Sequence, residues 1–432
     1  MTDIAASAAA APAPAAPAAR IATLDIVRGV AVMGILAMNI LAFAMPFQAY
    51  MNPAAFGLEG PADLASWAFS FILIDGKMRG LFSFLFGAST LLVIERARAS
   101  GESPAKVHYM RMIWLLVFGL LHFYLIWFGD ILTAYALSGL LLYFFRDLPV
   151  RKLIGWGIAL LVVQCLLMAS GALRMLYVAQ VAAGADPDPL LVSEYESFAE
   201  MFAPLAPAEL AENMRLHLGP WTGLVHDRLI ERGLEPFVGL LFFGWETLAY
   251  MLFGMAALKS GFLRGQWEPA RYRKWALVCF AVAIPAYAAC VFFLIRLNFE
   301  LPSMFLLVMA VPTPFRPLMI VGIAATLILV TRKGGWLVDR IAAAGRAAFT
   351  NYLGTSIVMT TLFYGYGLGL YGSMSRIELW IPVLAMWALM LLWSKPWLDR
   401  FRYGPFEWLW RSLSRMRFEP MRKSRAIEGA EA

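Results

Sequence analysis

The chain has 432 residues, of which 61% are hydrophobic and 15% are charged, and its mean hydropathy is +0.68. This composition excludes a soluble globular protein and indicates a polytopic membrane protein. The net charge of +7 does not indicate a nucleic-acid partner, because Lys and Arg cluster in short stretches between apolar runs, as cytoplasmic loops of membrane proteins do. The cysteines lack CxxC spacing and a histidine partner, so no metal site is predicted.

The N-terminal part of the chain is predicted to be a short tail followed by a bundle of five spans. Residues 1–19 are rich in Ala and Pro and are predicted to be a disordered tail rather than a signal peptide. Asp75, Lys77 and Arg79 interrupt the second apolar region, which we interpret as a short interfacial helix followed by a span from about Met78. The predicted spans within residues 20–182 are 24–45, 78–94, 107–128, 131–145 and 153–178.

The rest of the chain is predicted to contain a polar cap and a second bundle. Residues 183–235 form the one long polar segment and are predicted to be an extracytoplasmic cap. Five spans are predicted within residues 236–400, namely 236–258, 275–295, 318–331, 345–364 and 379–398. The basic and aromatic segment 401–432 is predicted to be a cytoplasmic tail that lies along the inner leaflet, anchored by Trp408 and Trp410.

The predicted fold is therefore an all-α transmembrane bundle of about ten spans with both termini in the cytoplasm. This orientation places roughly three quarters of the 36 Lys and Arg residues on the cytoplasmic side, which fits the positive-inside rule. In the first turns of the first span, Asp25 and Arg28 are predicted to form an i, i+3 ion pair.

Several segments of the chain resemble one family of membrane proteins. They are RIATLDIVRGVAVMGILAMNI at 20–40, DGKMRGLFSFLFGA at 75–88, GDILTAYAL at 129–137, GRAAFTNYL at 345–353 and GPFEWLWR at 404–411. Together they are similar to the YeiB family of bacterial inner-membrane proteins, and they cover nearly the whole chain. The resemblance implies a multi-pass protein of the bacterial inner membrane. Because that family carries a C-terminal domain of unknown function, the resemblance indicates the fold better than the activity.

The LDIVRG opening at 24–29 is similar, more distantly, to that of membrane acyltransferases, including the heparan-alpha-glucosaminide N-acetyltransferases. This resemblance implies transfer of an acyl group from a thioester, acetyl-CoA or another acyl-CoA, to a small-molecule, glycan or lipid acceptor, with no bound cofactor. Those N-acetyltransferases carry a histidine before their second span, whereas residues 46–66 contain none. The catalytic role of that loop histidine is therefore not transferred to this chain.

His122 is the candidate general base, because it is the one histidine predicted within the apolar body of a span. An ionisable side chain in a hydrocarbon-length helix costs several kcal/mol unless it is paired or faces water. The alternative is a neutral structural histidine bonded to a backbone carbonyl. Asp130 is the second catalytic candidate, but along a straight helix it lies about 12 Å from His122, so it orients His122 only where the chain bends back. Its alternative role is to cap the next helix.

Three cations are predicted near the outer ends of spans, where they would form a donor-binding or anion-binding site: Lys77, Arg79 and Arg316. The alternative for each is snorkelling to the interface. Glu246 is predicted near the middle of the membrane, where a carboxylate is protonated, paired with a cation or in contact with water. Asn39 and Asn351 are further intramembrane polar residues, and Asn351 is interpreted mainly as an interhelical contact.

Two functions from different classes remain open. The first is an acyltransferase that uses His122 and Asp130, with the cap shaping the path of an extracytoplasmic acceptor. The second is a proton-coupled transporter or exporter of a small molecule, which would use Glu246, His122 and the proline-broken helix around Arg316. Membrane lipids are expected partners in both cases, and the sequence leaves a homodimer open.

Overall fold

The computed structural model describes residues 21 to 423, so the predicted Ala/Pro tail at 1–19 lies outside the described residues. Within that range the regular structure is helical, apart from an isolated antiparallel bridge between Phe401 and Arg422. The prediction of an all-α membrane protein is confirmed.

Seven α-helices form the N-terminal part of the described chain, up to residue 182. They are α1 (Ala22–Ala44), α2 (Phe47–Met51), α3 (Pro61–Leu73), α4 (Lys77–Ala99), α5 (Pro104–Leu121), α6 (Leu132–Phe145) and α7 (Val150–Ala182). A 3₁₀ turn at Pro53–Ala55 and a π-helical turn at His122–Ile126 complete this part. Between α3 and α4 the chain turns at Gly76, whose positive φ of 67° suits glycine.

The predicted cap is built from three short helices that begin at or just after proline. They are α8 (Pro189–Phe202), α9 (Pro207–His217) and α10 (Trp221–His226), and a π-helical turn at Asp227–Glu231 follows. The cap is attached to a C-terminal loop, because the amide of Gly365 donates to the carbonyl of His217 at 2.9 Å and the hydroxyl of Tyr371 donates to Asn213 Oδ1 at 2.9 Å.

The C-terminal part contains the remaining helices of the described residues. They are α11 (Glu235–Lys259), α12 (Pro269–Arg296), α13 (Leu301–Met304) with a π-helical extension at Phe305–Ala310, α14 (Arg316–Val330), α15 (Trp336–Arg346), α16 (Ala348–Phe363), α17 (Trp380–Arg400) and α18 (Pro405–Ser414). The predicted span 345–364 corresponds to α16, but the basic loop predicted before it contains the additional helix α15, after which the chain turns at Ala347. α15 packs closely on α1, where a Cβ on Gly345 would lie 1.9 Å from the carbonyl oxygen of Asp25.

Seven helical stretches of the described chain are long and apolar enough to cross a membrane, and all seven overlap predicted spans. They are Ala22–Ala44, Pro61–Ala99, Pro104–Ile126, Val150–Ala182, Glu235–Lys259, Pro269–Arg296 and Trp380–Arg400. The other three predicted spans correspond to α6, α14 and α16, which are shorter. The count of ten spans and the cytoplasmic position of both termini stay predictions.

Helix α1 lies at the centre of the bundle and is apolar around most of its circumference, as expected of a helix that packs against other helices on most sides. It packs against α4, α15 and α16, while α11 packs against α4, α6 and α7. Helices from residues 20–182 and from residues 236–400 therefore contribute to one core.

The C-terminal helix α18 is docked onto the bundle. The indole of Trp410 donates to the carbonyl of Arg111 in α5 at 3.0 Å, and its ring packs against Phe349 of α16 with the ring centroids 5.6 Å apart. The indole of Trp408 donates to the carbonyl of Glu419 at 2.7 Å. Trp410 therefore packs against the bundle, and the placement of the tail along the inner leaflet stays a prediction.

Candidate functional site

His122 and Asp130 form a buried side-chain pair. Nδ1 of His122 lies 2.9 Å from Oδ1 of Asp130, and each side chain is 1% exposed. Oδ2 of Asp130 accepts a hydrogen bond from the amide of Thr133 at 2.8 Å, which caps the first turn of α6. One carboxylate therefore orients the histidine and caps the helix, the two roles that the sequence left as alternatives.

The chain bends back between these two residues because α5 does not continue as a straight helix. It ends in the π-helical turn His122–Ile126, and Trp127 then adopts an extended conformation while its amide donates to the carbonyl of His122 at 2.9 Å. Gly119 makes room for the returning segment, since a Cβ there would lie 2.5 Å from the amide nitrogen of Thr133 and 3.0 Å from Asp130 Oδ2. The separation of about 12 Å along a straight helix therefore does not apply.

The second ring nitrogen of His122, Nε2, is buried and has no hydrogen-bond partner within residues 21 to 423. With Nδ1–H donating to the carboxylate of Asp130, Nε2 is the nitrogen that carries a free lone pair. The ring of Tyr352 lies beside the imidazole, at 5.2 Å between centroids, and the ring of Trp127 lies at 6.4 Å. A histidine oriented by a carboxylate, with its other nitrogen free, is the arrangement of a general base.

A cavity of about 480 Å³ lies at the end of the bundle where α1 and α5 begin and α4 ends. Six arginines and two carboxylates contribute to its wall, so we name it the basic cavity. The arginines are Arg28, Arg96, Arg111, Arg346, Arg402 and Arg411, and the carboxylates are Asp25 and Glu407.

Both carboxylates of the basic cavity have partners. Asp25 forms the predicted ion pair with Arg28 at 3.2 Å. Glu407 accepts hydrogen bonds from the amides of Phe349 at 2.6 Å and Thr350 at 3.1 Å, so it caps the start of α16. Burial raises the pKa of the Glu407 carboxyl, while the hydrogen bonds from Thr350 act in the opposite direction.

Four arginines of the basic cavity have no carboxylate partner among residues 21 to 423, namely Arg96, Arg111, Arg402 and Arg411. Two of them stack on aromatic rings instead. The guanidinium of Arg111 lies 4.0 Å from the ring centroid of Trp410, and that of Arg411 lies 4.4 Å from the ring of Tyr403. The arginine-rich end of the cavity is therefore suited to an anionic ligand that also carries a planar group.

The basic cavity is long and extends along α4 toward the buried pair. Arg96 and Phe82 both line it, and they lie about 21 Å apart along α4 at 1.5 Å per residue. Its inner end is formed by Ile131, Tyr135 and Tyr352. His122 and Asp130 do not line the cavity. They lie directly behind Ile131 and Tyr352.

The cap contacts the turn that carries His122. The indole of Trp221 donates to the carbonyl of Leu125 at 2.8 Å, and the hydroxyl of Tyr124 donates to the carbonyl of Gly233 at 2.7 Å. Arg228 also donates to the carbonyl of Tyr124, at 3.4 Å. The side of the turn that faces the cap is thus covered by residues 221–233.

Two of the three cations predicted as an anion site, Arg79 and Arg316, instead form a buried ion cluster with Glu246. Nη2 of Arg79 donates to Oε1 of Glu246 and Nη1 of Arg316 donates to Oε2. Tyr250 donates to Oε2 at 3.2 Å, and the side chain of Glu246 is 0% exposed. Of the three possibilities predicted for Glu246, the structure therefore shows pairing with cations, and both of its carboxylate oxygens accept hydrogen bonds.

Lys77 lies apart from that cluster. Its ammonium donates to the carbonyl of Phe71 and lies 3.5 Å from the ring centroid of Tyr287. Lys77, Arg79 and Arg316 do not line the basic cavity, so the structure does not bring the predicted donor-binding residues to the cavity next to His122.

The two asparagines lie on helices next to the site. Nδ2 of Asn351 donates to the carbonyl of Ala344 at 3.0 Å and Oδ1 accepts from the indole of Trp393 at 2.9 Å, so Asn351 joins α15, α16 and α17. Asn39 on α1 lines a void of about 10 Å³ together with Tyr352 and Ser356. Between residues 21 and 423 there is no group of three or more His, Cys, Asp or Glu side chains that could hold a metal ion.

Comparison with known proteins identifies the family. A family model described as "Protein of unknown function (DUF418)" matches residues 257–417. The "Uncharacterized protein YeiB" of Escherichia coli (strain K12) is 34% identical over 416 residues, which cover 91% of this chain and 95% of that protein. This chain belongs to the YeiB family. The "Uncharacterized protein YxaH" of Bacillus subtilis (strain 168) is 31% identical over 418 residues, covering 94% of this chain and 97% of that protein. No solved structure matches.

The predicted membership of the YeiB family is confirmed, and the names of these YeiB-family relatives state no activity. Sequence reasoning missed the basic cavity, because its arginines come from separate elements of the YeiB fold. One signal was present in the sequence: Arg28, Arg96 and Arg111 all lie at ends of spans that the predicted topology places on the same side of the membrane.

Proposed function

We propose that this YeiB-family protein is an acyltransferase of the bacterial inner membrane. It takes an acyl group from an acyl-CoA, such as acetyl-CoA, and transfers it to a hydroxyl or amine of an extracytoplasmic acceptor. The observation that carries the proposal is the position of the buried His122–Asp130 pair directly behind the inner end of the arginine-rich basic cavity.

In this proposal the nucleotide and phosphates of the acyl-CoA bind at the arginine-rich end of the basic cavity, and the thioester reaches its inner end. Its volume of about 480 Å³ lies within the range of about 300–1,000 Å³ that is usual for small-molecule sites. Guanidinium groups such as those of Arg96 and Arg411 bind phosphates, and the aromatic rings of Tyr403 and Trp410 offer planar surfaces to a nucleotide base. The length of the cavity along α4 accommodates the flexible arm between the phosphates and the thioester.

The chemistry assigns one role to each member of the buried pair. The acceptor oxygen or nitrogen attacks the thioester carbonyl carbon while Nε2 of His122 removes its proton, so a C–O or C–N bond forms. The C–S bond then breaks, and the departing thiolate receives the proton from His122, which gives free CoA. Asp130 keeps the imidazole in the required tautomer and stabilises its protonated form.

The transport alternative is less well supported. It requires Glu246 to bind and release a proton along a path, but a guanidinium occupies each oxygen of that carboxylate. A carboxylate in this position is better suited to holding helices α4, α11 and α14 together.

The test is turnover of acetyl-CoA by the purified protein in lipid nanodiscs, measured as release of free thiol. We expect His122→Gln to lower turnover by about 10²–10⁴-fold, the usual contribution of a general base. His226→Gln is the matched control, because His226 is exposed on the cap. A wild-type protein that neither binds nor cleaves acetyl-CoA or a longer acyl-CoA would refute the proposal.

A binding experiment tests the donor site separately from the chemistry. We expect Arg96→Gln and Arg411→Gln each to weaken CoA binding by roughly tenfold, about 1.4 kcal/mol. Arg98→Gln is the control, because Arg98 lies on the same helix but is exposed and pairs with Asp147 at 3.0 Å. Equal CoA affinity in all three variants would argue against the basic cavity as the donor site.

A further inference from the structure

The side chain of Tyr352 lies between the basic cavity and His122, because its ring lines the cavity and packs on the imidazole. Tyr352 lies on α16, is 5% exposed and contributes to the inner wall of the basic cavity. Its ring packs against the imidazole of His122, with 5.2 Å between the ring centroids. Tyr352 therefore contacts both the basic cavity and the imidazole of His122, and it also lines the small void next to Asn39.

The hydroxyl of Tyr352 holds the segment that returns Asp130 to His122. It accepts a hydrogen bond from the amide of Ile131 at 3.2 Å and contacts the carbonyl of Gly129 at 3.5 Å. These two residues flank Asp130 on either side. Tyr352 of α16 thus holds the backbone on both sides of Asp130. The position of the Asp130 carboxylate next to Nδ1 of His122 depends on this backbone being held.

We propose that Tyr352 is a positioning residue that performs two tasks, one with its ring and one with its hydroxyl. The ring separates His122 from the contents of the basic cavity until an acyl donor displaces it, which keeps water that enters with the donor away from the base. The hydroxyl keeps the Asp130 carboxylate within hydrogen-bonding distance of Nδ1 of His122. This inference rests on the proposed function for its catalytic meaning, but the barrier itself is a property of the structure.

The barrier is tested by chemical labelling, which requires no turnover. Diethyl pyrocarbonate modifies accessible neutral imidazole, and mass spectrometry of the peptide that contains His122 measures the extent. We expect little modification in the wild type and in Tyr352→Phe, and a severalfold increase in Tyr352→Ala. Tyr135→Ala is the matched control, because it removes another buried tyrosine from the cavity wall on α6, and His122 should stay protected. Equal labelling of His122 in Tyr352→Ala and wild type would overturn the inference.

The hydroxyl is tested by turnover with acetyl-CoA. Loss of its two contacts in Tyr352→Phe should lower kcat by roughly 100-fold, as a misplacement of about 1 Å can do, with little change in KM. Tyr352→Ala should release thiol from acetyl-CoA without added acceptor faster than Tyr352→Phe, because water reaches the base. A kcat of Tyr352→Phe equal to that of the wild type would overturn the positioning role.

The outcomes separate this inference from the proposed function. If Tyr352→Ala exposes His122 to the reagent and added CoA protects it again, both the barrier and the donor site are supported. If His122 becomes exposed but no acyl-CoA protects it or is cleaved by the wild type, the acyltransferase proposal fails while the barrier stands. If the wild type turns over acetyl-CoA and both Tyr352 variants match it, the inference on Tyr352 fails while the acyltransferase proposal stands.

Discussion

Substitution of Glu246 by Gln should destabilise the protein strongly, because it leaves two largely buried guanidinium groups without their shared counter-ion. Arg79 donates to one carboxylate oxygen and Arg316 to the other, and the Glu246 side chain is 0% exposed. Removing one member of a buried ion pair costs about 3–5 kcal/mol, since the remaining charge stays desolvated. Here a single substitution leaves two such charges, so we expect the upper part of that range.

The measurement is the apparent melting temperature of the detergent-solubilised protein, followed by tryptophan fluorescence and by the monodisperse peak in size-exclusion chromatography. We expect a decrease of several degrees for Glu246→Gln at equal protein concentration and scan rate. Asp147→Asn is the control, because the pair of Asp147 with Arg98 is exposed at the surface and contributes little.

A triple variant sharpens the test. Replacement of Glu246 by Met together with Arg79→Met and Arg316→Met removes the whole buried ion cluster, and apolar replacement of a complete cluster is often neutral. We therefore expect this variant to regain most of the stability that Glu246→Gln loses. The reasoning is refuted if Glu246→Gln melts at the wild-type temperature, or if the triple variant is less stable than Glu246→Gln.

Three further predictions concern other parts of the molecule. Asp130→Asn should lower turnover by about 10²–10⁴-fold yet change the melting temperature little, because Asn still caps the amide of Thr133 but no longer fixes the tautomer of the base. Gly345→Val should abolish recovery of folded protein on size-exclusion chromatography, since a Cβ there would lie 1.9 Å from a carbonyl oxygen of α1, whereas Gly354→Ala, with nothing within 4 Å, should be tolerated. Burial lowers the pKa of His217 in the cap to about 4, so the folded chain binds fewer protons than the unfolded chain between that value and 6.5. The free energy of unfolding should therefore fall as the pH is lowered through this window, and His217→Gln should show a smaller decrease in melting temperature on acidification.

The membrane character and the approximate helix positions follow from hydropathy, because long apolar runs have one stable arrangement in a bilayer. The predicted span 24–45 and helix α1 (Ala22–Ala44) differ by only a few residues. The predicted interruption at Asp75 to Arg79 corresponds to the turn between α3 and α4. Hydropathy failed at residues 336–347, where a short amphipathic helix precedes α16 and carries too little apolar character to be recognised as part of the bundle.

The site was harder to predict than the fold. His122 and Asp130 were both identified as candidates, but their contact depends on a π-helical turn and on Gly119, and neither has a periodic signal in the sequence. The basic cavity depends on side chains from distant parts of the chain, including Arg402 and Arg411 from a segment that was assigned to the membrane surface. Local pattern and residue type indicate which groups are available, whereas tertiary contacts decide which of them meet.

The two halves of the buried ion cluster are synthesised at different times, because Arg79 precedes Glu246 in the chain. Arg79 and Glu246 are 167 residues apart in the chain, so at about 5–20 residues per second the ribosome supplies the carboxylate roughly 8–33 s after the guanidinium. During that interval α4 carries Arg79 without its carboxylate partner, and an unpaired arginine costs up to about 2.5–3.5 kcal/mol at the bilayer centre. We therefore expect α4 to reach its final packing in the bundle only after α11 has been made.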